Sequence, residues 1–184
     1  MNTLKPLNNE QASTKAQQIF AEIKSQKGMV PNLYAAMGIS DKLLGGYLKF
    51  VETLKIGEFS GKEYEAIALI TSERNHCDYC ISAHTTLAKM QGFSEAETLE
   101  IRTNTVVEKK INALVKLASE IISKTGFPSE RTINEFLLVG YSKAAFAELI
   151  AIVTMTTLTN YIHHNGKFDI DFPLAQSLNN KHVA

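Results

Sequence analysis

"SKAAFAELIAIVTMTTLTNYIHH", residues 142–164, is the stretch on which the fold class turns. It is crowded with β-branched side chains: Ile150, Ile152, Val153, Thr154, Thr156, Thr157 and Thr159. Such residues are stiff at χ1 and enriched in strands, so a strand is the competing reading. Three features favour a helix. The stretch is far longer than an ordinary strand, it has no internal turn residue, and it opens with Ser142 followed by a run of good helix formers. Asn165 and Gly166 then end it. A helix this apolar on all sides suits the centre of a domain or a subunit interface.

Working outward, the rest of the chain carries the helical period. Ala12, Ala16, Ile19, Phe20 and Ile23 follow one apolar face, and "KGMVPNLY" (27–34) breaks it at Gly28 and Pro31. A second face runs from Ser40 through Leu43, Leu44, Tyr47, Leu48, Val51 and Leu54 to Gly57. "SGKE" (60–63) and "SEAE" (94–97) each have the form of a capping box opening a helix. The first of these helices reaches about Asn75, and another runs from near Cys77 to Gly92. Ile111, Leu114, Val115, Ala118, Ile121 and Ile122 mark a further helix, closed by Gly126 with Pro128 beyond; "INEFLLV" (133–139) is a short one stopped by Gly140. "QGFSEAETLE" (91–100) echoes "VGYSKAAFAE" (139–148), which reads as shared helix-to-helix punctuation or as two related helical halves. No strand alternation, phosphate loop or low-complexity linker interrupts the pattern. The expectation is all-α: a single domain over 1–184 of about seven to eight helices.

Size and charge narrow the function. A chain of 184 residues can bury a proper core. Nineteen basic residues balance nineteen acidic ones, which gives no surplus of positive charge for nucleic acid. "MNTLKPLNNE" (1–10) lacks the apolar run of a signal peptide, and "LIAIVTMTTL" (149–158) reads as too short and too rich in Thr for a membrane span. A soluble, cytoplasmic protein is expected.

Both cysteines of the chain lie in "NHCDYCISAH" (75–84). They could hold a metal, cycle between dithiol and disulfide, or be buried small residues. A structural disulfide between Cys77 and Cys80 would close a very small loop and stabilise little, and a reducing compartment disfavours it. At a helix start, unsatisfied N–H groups and the positive end of the helix dipole favour thiolate over thiol. Three-residue spacing puts Cys77 and Cys80 on one face, and Cys80 and His84, four apart, also share a face. A neutral imidazole there can take a thiol proton directly or through water. One sulfur would attack and the other resolve the product to a disulfide. Zinc is the rival, with Cys77, Cys80 and His84 as ligands and His163 or His164 as a distant fourth, but the usual second ligand pair is missing. A zinc-stabilised helical protein and a redox-responsive interaction module without turnover are thus the alternatives to an enzyme. His163 and His164 also fit a plainer role beside the last carbonyls of a helix, and His76 reads as a turn residue.

"EAIALITSERNHCDYCISAH" (65–84) resembles the core motif of the alkylhydroperoxidase-D-like proteins of the carboxymuconolactone decarboxylase family. That motif is a Glu, eleven residues, then C-x-x-C-x-x-x-H, matched here by Glu65, Cys77, Cys80 and His84. "GMVPNLYAAMGISDKLLGGYL" upstream and "NYIHHNGKFDIDFP" downstream are similar to flanking segments of the peroxidase-related members. The resemblance implies an all-helical fold in symmetric oligomers, often trimers or hexamers. It also implies thiol-based hydroperoxide reduction within a redox core over 60–102. It assigns Cys80 as peroxidatic, Cys77 as resolving, and His84 with Glu65 as proton relay. Without it, Glu65 reads as a solvated helix residue. The implied partners are a small hydroperoxide, a thiol donor (lipoyl, thioredoxin-like or a small thiol) and further copies of the chain. No cofactor is implied beyond the Cys77–Cys80 disulfide. Two positions depart from the family pattern: Tyr79 stands where the best-known peroxidases have His, and His76 where a small residue is common. Decarboxylase activity is not implied, because those members differ at the motif and need no cysteine pair.

Overall fold

The computed structural model describes residues 3–178. Among the described residues there are nine α-helices and no strand. In chain order they are α1 (Thr14–Lys27), α2 (Asn32–Met37), α3 (Asp41–Leu54), α4 (Gly61–Arg74), α5 (Asp78–Met90), α6 (Glu95–Thr103), α7 (Lys109–Ser123), α8 (Glu130–Leu138) and α9 (Lys143–Gly166).

The contested stretch is helical. Its threonines bond back onto the helix: Thr154 Oγ1 donates to the Ile150 carbonyl and Thr157 Oγ1 to the Val153 carbonyl, each at 2.8 Å. This back-bonding satisfies hydroxyls inside an apolar helix and offsets part of their weak helix propensity. Burial of Leu149, Ile152, Val153 and Met155 supplies the rest. By length and composition α9 does meet the requirement of a membrane span: it has 24 residues and a mean hydropathy of 1.4 over its most apolar window. The sequence expectation of a stretch too short is corrected on that point. Half of that window is buried inside the fold, where α9 packs on α4, α7, α2 and α5.

The additional helix is α2, placed where Gly28 and Pro31 signalled a break. Both residues punctuate rather than unravel the chain. Gly28, at φ 80°, closes α1 in the left-handed conformation, and Pro31 is the N-cap of α2, where its missing N–H leaves no helical hydrogen bond unmade. Ser60 and Ser94 form the expected capping boxes with Glu63 and Glu97.

α4 is the central helix, buried continuously from Glu63 to Ser72 and packed against α5, α6, α7 and α9. Its far side and α7 to α9 share one apolar core, including Ile67, Leu114, Phe136 and Leu149. A second core gathers α1, α2, Leu44, Ile162 and Phe168 around Cys77, Tyr79 and Cys80. The cysteines therefore lie between the α4–α5–α9 layer and the cover formed by α1 to α3. The segment after α9 straps this region. Asp171 accepts from the Asn32 backbone N–H at 2.6 Å, the Ala175 N–H donates to Ser82 Oγ at 3.2 Å, and Arg102 Nη1 donates to the Gln176 carbonyl at 2.5 Å.

Candidate active site

The turn between α4 and α5 sets the cysteines. His76 is left-handed at φ 54°, an uncommon conformation for a residue with a Cβ, and the Cys77 N–H reaches the Ser72 carbonyl at 3.1 Å. Cys77 is thereby the N-cap of α5, and Cys80 falls in its first turn. Backbone N–H groups at this end have no helical acceptor and favour negative charge nearby. Both sulfurs are buried and unbonded as free thiols.

The two sulfurs differ sharply in acidity. The Cys77 hydrogen bond holds the Cys80 thiol below the usual cysteine value; burial opposes this, while Asn160 and Thr159 assist. The same contact pushes Cys77 well above the usual value, burial adds to it, and His163 works against it. Of the two, Cys80 is the sulfur biased toward thiolate and Cys77 the one biased toward thiol. Thr159 Oγ1 lies 3.9 Å from Cys80 Sγ and gives its own proton to the Thr156 carbonyl at 2.7 Å.

Glu65 is not solvated. It is buried on α4 and its Oε2 lies 2.7 Å from His84 Nδ1 on α5. Burial of a carboxylate is costly unless it is paired, so the two side chains define each other's position. His84 and Cys80 line the same cavity of about 470 Å³, together with Tyr34, Tyr47, Thr159 and Phe172. Among the described residues no direct hydrogen bond joins His84 to Cys80. Burial raises the phenols of Tyr34 and Tyr47, which stay protonated and can donate across the cavity.

Tyr79 also borders the cavity. Its hydroxyl accepts from the Leu33 N–H at 3.2 Å, and its ring packs between His163, Phe168 and Phe172. Burial and then Asp171 keep its phenol well above the ordinary value. His163 Nδ1 lies 3.6 Å from Cys77 Sγ. His163 thus meets more than the helix end that the sequence suggested. His164 instead faces Tyr161, with ring centroids 6.0 Å apart. Among the described residues no three His, Cys, Asp or Glu side chains converge as a metal cage. Of the four sequence-predicted site residues, Cys80 and His84 line the cavity, Glu65 reaches it through its contact with His84, and Cys77 sits at the α5 N-cap beside His163. Sequence reasoning missed Tyr34, Tyr47, Thr159, Asn160 and the His163 contact. A tyrosine inside an apolar stripe, as at Tyr47, is the one local signal, since its hydroxyl needs a partner when buried.

Residues 43–124 match the model of the carboxymuconolactone decarboxylase family. The chain is 27% identical over 93 residues to an alkyl hydroperoxide reductase of Mycobacterium tuberculosis; the match takes in 50% of this chain and 27% of that longer relative. Solved structures share the fold. The apo debrominase Bmp8 superposes with a TM-score of 0.76 at 18% identity, over 92% of each chain. A Bmp8 variant bound to 2,3,4-tribromopyrrole gives 0.77 at 17%, over 92% of this chain and 91% of that one. A peroxidase-related protein from Ralstonia eutropha, an alkylhydroperoxidase AhpD core, gives 0.77 at 17% identity, over 88% and 89%. The chain thus has the AhpD-like all-helical fold.

Proposed function

We propose that this protein is a thiol-dependent alkyl hydroperoxide reductase that cycles Cys77 and Cys80 between dithiol and disulfide. The observation that carries the proposal is the pair of free cysteines at the start of α5, with Cys80 lining a cavity alongside His84, and Glu65 2.7 Å from His84. The relationship to an alkyl hydroperoxide reductase supports it. Cys80 attacks a peroxide oxygen; the S–O bond forms, the O–O bond breaks, and the alkoxide leaves as alcohol with a proton relayed by His84 and Glu65. Cys77 then displaces hydroxide from the Cys80 sulfenic acid, giving the disulfide and water. A dithiol donor of the lipoyl, thioredoxin-like or small-thiol class reduces the disulfide.

The mostly apolar and aromatic wall suits an organic hydroperoxide. The cytoplasm, which supplies reducing thiols, is the proposed compartment. Exposed Leu43 and Phe50 on α3, with Ile150 and Leu158 on α9, suit a homo-oligomeric interface, and the family resemblance makes a trimer or hexamer the proposed assembly.

The test is steady-state consumption of an alkyl hydroperoxide with a dithiol donor. Wild type turns over and Cys80→Ser does not. Equal consumption by both proteins sinks the proposal. Reductive release of bromide from tribromopyrrole without peroxide turnover would transfer the dithiol chemistry to dehalogenation. Oxidation without turnover would make the site a sensor.

A further inference from the structure

We infer that His163 is the base that deprotonates Cys77 for disulfide closure. This rests on the dithiol cycle proposed above. In the reduced pair the Cys77 thiol donates its hydrogen bond to Cys80 and keeps its proton. Oxidation of Cys80 to a sulfenic acid, or its capture as a mixed disulfide, removes that anionic acceptor. Cys77 must then lose its proton elsewhere before it can attack, because only the thiolate is an effective nucleophile.

His163 Nδ1 stands 3.6 Å from Cys77 Sγ. Its Nε2 lies 3.1 Å from the Phe168 carbonyl oxygen, which can only accept. In the neutral ring the proton therefore sits on Nε2, and the Nδ1 lone pair faces the thiol. Packing fixes the ring: the Tyr79 and Phe168 centroids lie 5.2 and 4.9 Å from it. His84 is not available for this step, because its Nδ1 is engaged by Glu65 and it lines the cavity on the Cys80 side. His163 borders a different recess of about 280 Å³, shared with His76, Asp78, His164 and Lys167. A proton can thus leave toward water without entering the substrate cavity. Burial disfavours the imidazolium, but the Cys77 contact, the Phe168 carbonyl and Asp78 outweigh it and raise the His163 pKa, so the ring is a competent acceptor. Lys167, His76 and His164 are the cationic or titratable neighbours that oppose the added charge.

The step balances as follows. The Cys77 proton moves to Nδ1 and the thiolate attacks Cys80. The S–S bond forms, the S–O bond breaks, and the departing hydroxide is protonated at the expense of the imidazolium. The products are disulfide, water and neutral His163.

The experiment compares wild type, Cys77→Ser and His163→Gln in single turnover with an alkyl hydroperoxide. Sulfenic acid is trapped by dimedone and the disulfide is read by mass. His163→Gln should oxidise Cys80 at the wild-type rate but close the disulfide about 100-fold more slowly, the scale of a lost general base. Dimedone should then label it as it labels Cys77→Ser. The pH dependence of closure should also lose the His163 titration. Dithiobis-nitrobenzoate provides a peroxide-free arm: wild type releases both nitrobenzoate thiolates quickly, whereas His163→Gln releases the first quickly and the second slowly. Closure at the wild-type rate, or equal slowing of both steps, overturns the inference. Wild type that resists peroxide but closes quickly with the aromatic disulfide sinks the peroxidase reading alone, and the second release still decides the role of His163.

Discussion

Cys77→Ala tests the asymmetry of the thiol pair. Cys77 is the leading cause of the lowered Cys80 pKa, and its sulfur is fully buried. A hydrogen bond to a charged group contributes about 1.5–3 kcal/mol. At about 1.4 kcal/mol per pH unit, losing the Cys77 donor should raise the midpoint of Cys80 reactivity by about one to two units. Asn160, Thr159 and the α5 N-terminus remain in place, so the lower half of that range is expected. The substitution removes only one sulfur atom, so the loss in fold stability should be about 1 kcal/mol. The assay is the pH dependence of iodoacetamide alkylation, with the modified cysteine identified by mass and Cys80→Ala as the blank. A midpoint that rises in Cys77→Ala supports the arrangement. A midpoint that stays put or falls would refute it, because Cys77 would then not be the donor that holds the thiolate.

Three further outcomes follow from the same geometry. Glu65→Gln removes the buried carboxylate 2.7 Å from His84; peroxide turnover should fall about 10- to 100-fold, the equivalent of a charge-assisted hydrogen bond, while thermal unfolding shows a retained fold. Leu149→Ala empties a fully buried site on α9 and should cost about 2–5 kcal/mol in denaturant unfolding, with no direct effect on the thiols. Glu63 is buried; burial opposes its charge, but Ser60, Tyr141 and Lys110 lower its pKa. A depressed carboxylate contributes stability above its unfolded pKa and loses it as pH falls through the folded value. Acid unfolding of Glu63→Gln should therefore show a weaker pH dependence below the ordinary carboxylate range than wild type.

Much of the fold is legible in local signals. The capping boxes at Ser60 and Ser94, and the Gly126 and Gly140 stops, act through nearby backbone geometry. α2 was not legible, because Gly28 and Pro31 mark a helix end and a helix start as readily as a loop. The choice of helix for α9 rested on length, since back-bonded threonines leave no mark on periodicity. At the site, Cys77, Cys80 and His84 are readable because i, i+3 and i+7 share a helix face. Glu65 is on another helix, and its burial depends on how α4 packs on α5; only the resemblance pointed to it. Tyr34, Thr159 and His163 come from α2 and α9, and no spacing rule relates those positions to Cys77 or Cys80.

The central claim is that Cys77 and Cys80 form a working redox pair. It is tested most directly by adding one equivalent of an alkyl hydroperoxide to the reduced protein and measuring the mass of the peptide that contains both cysteines. Loss of one pair of hydrogens, blocked thiols and full reversal by a dithiol is the predicted result. A peptide that stays reduced, or that gains oxygen without forming the disulfide, contradicts the account.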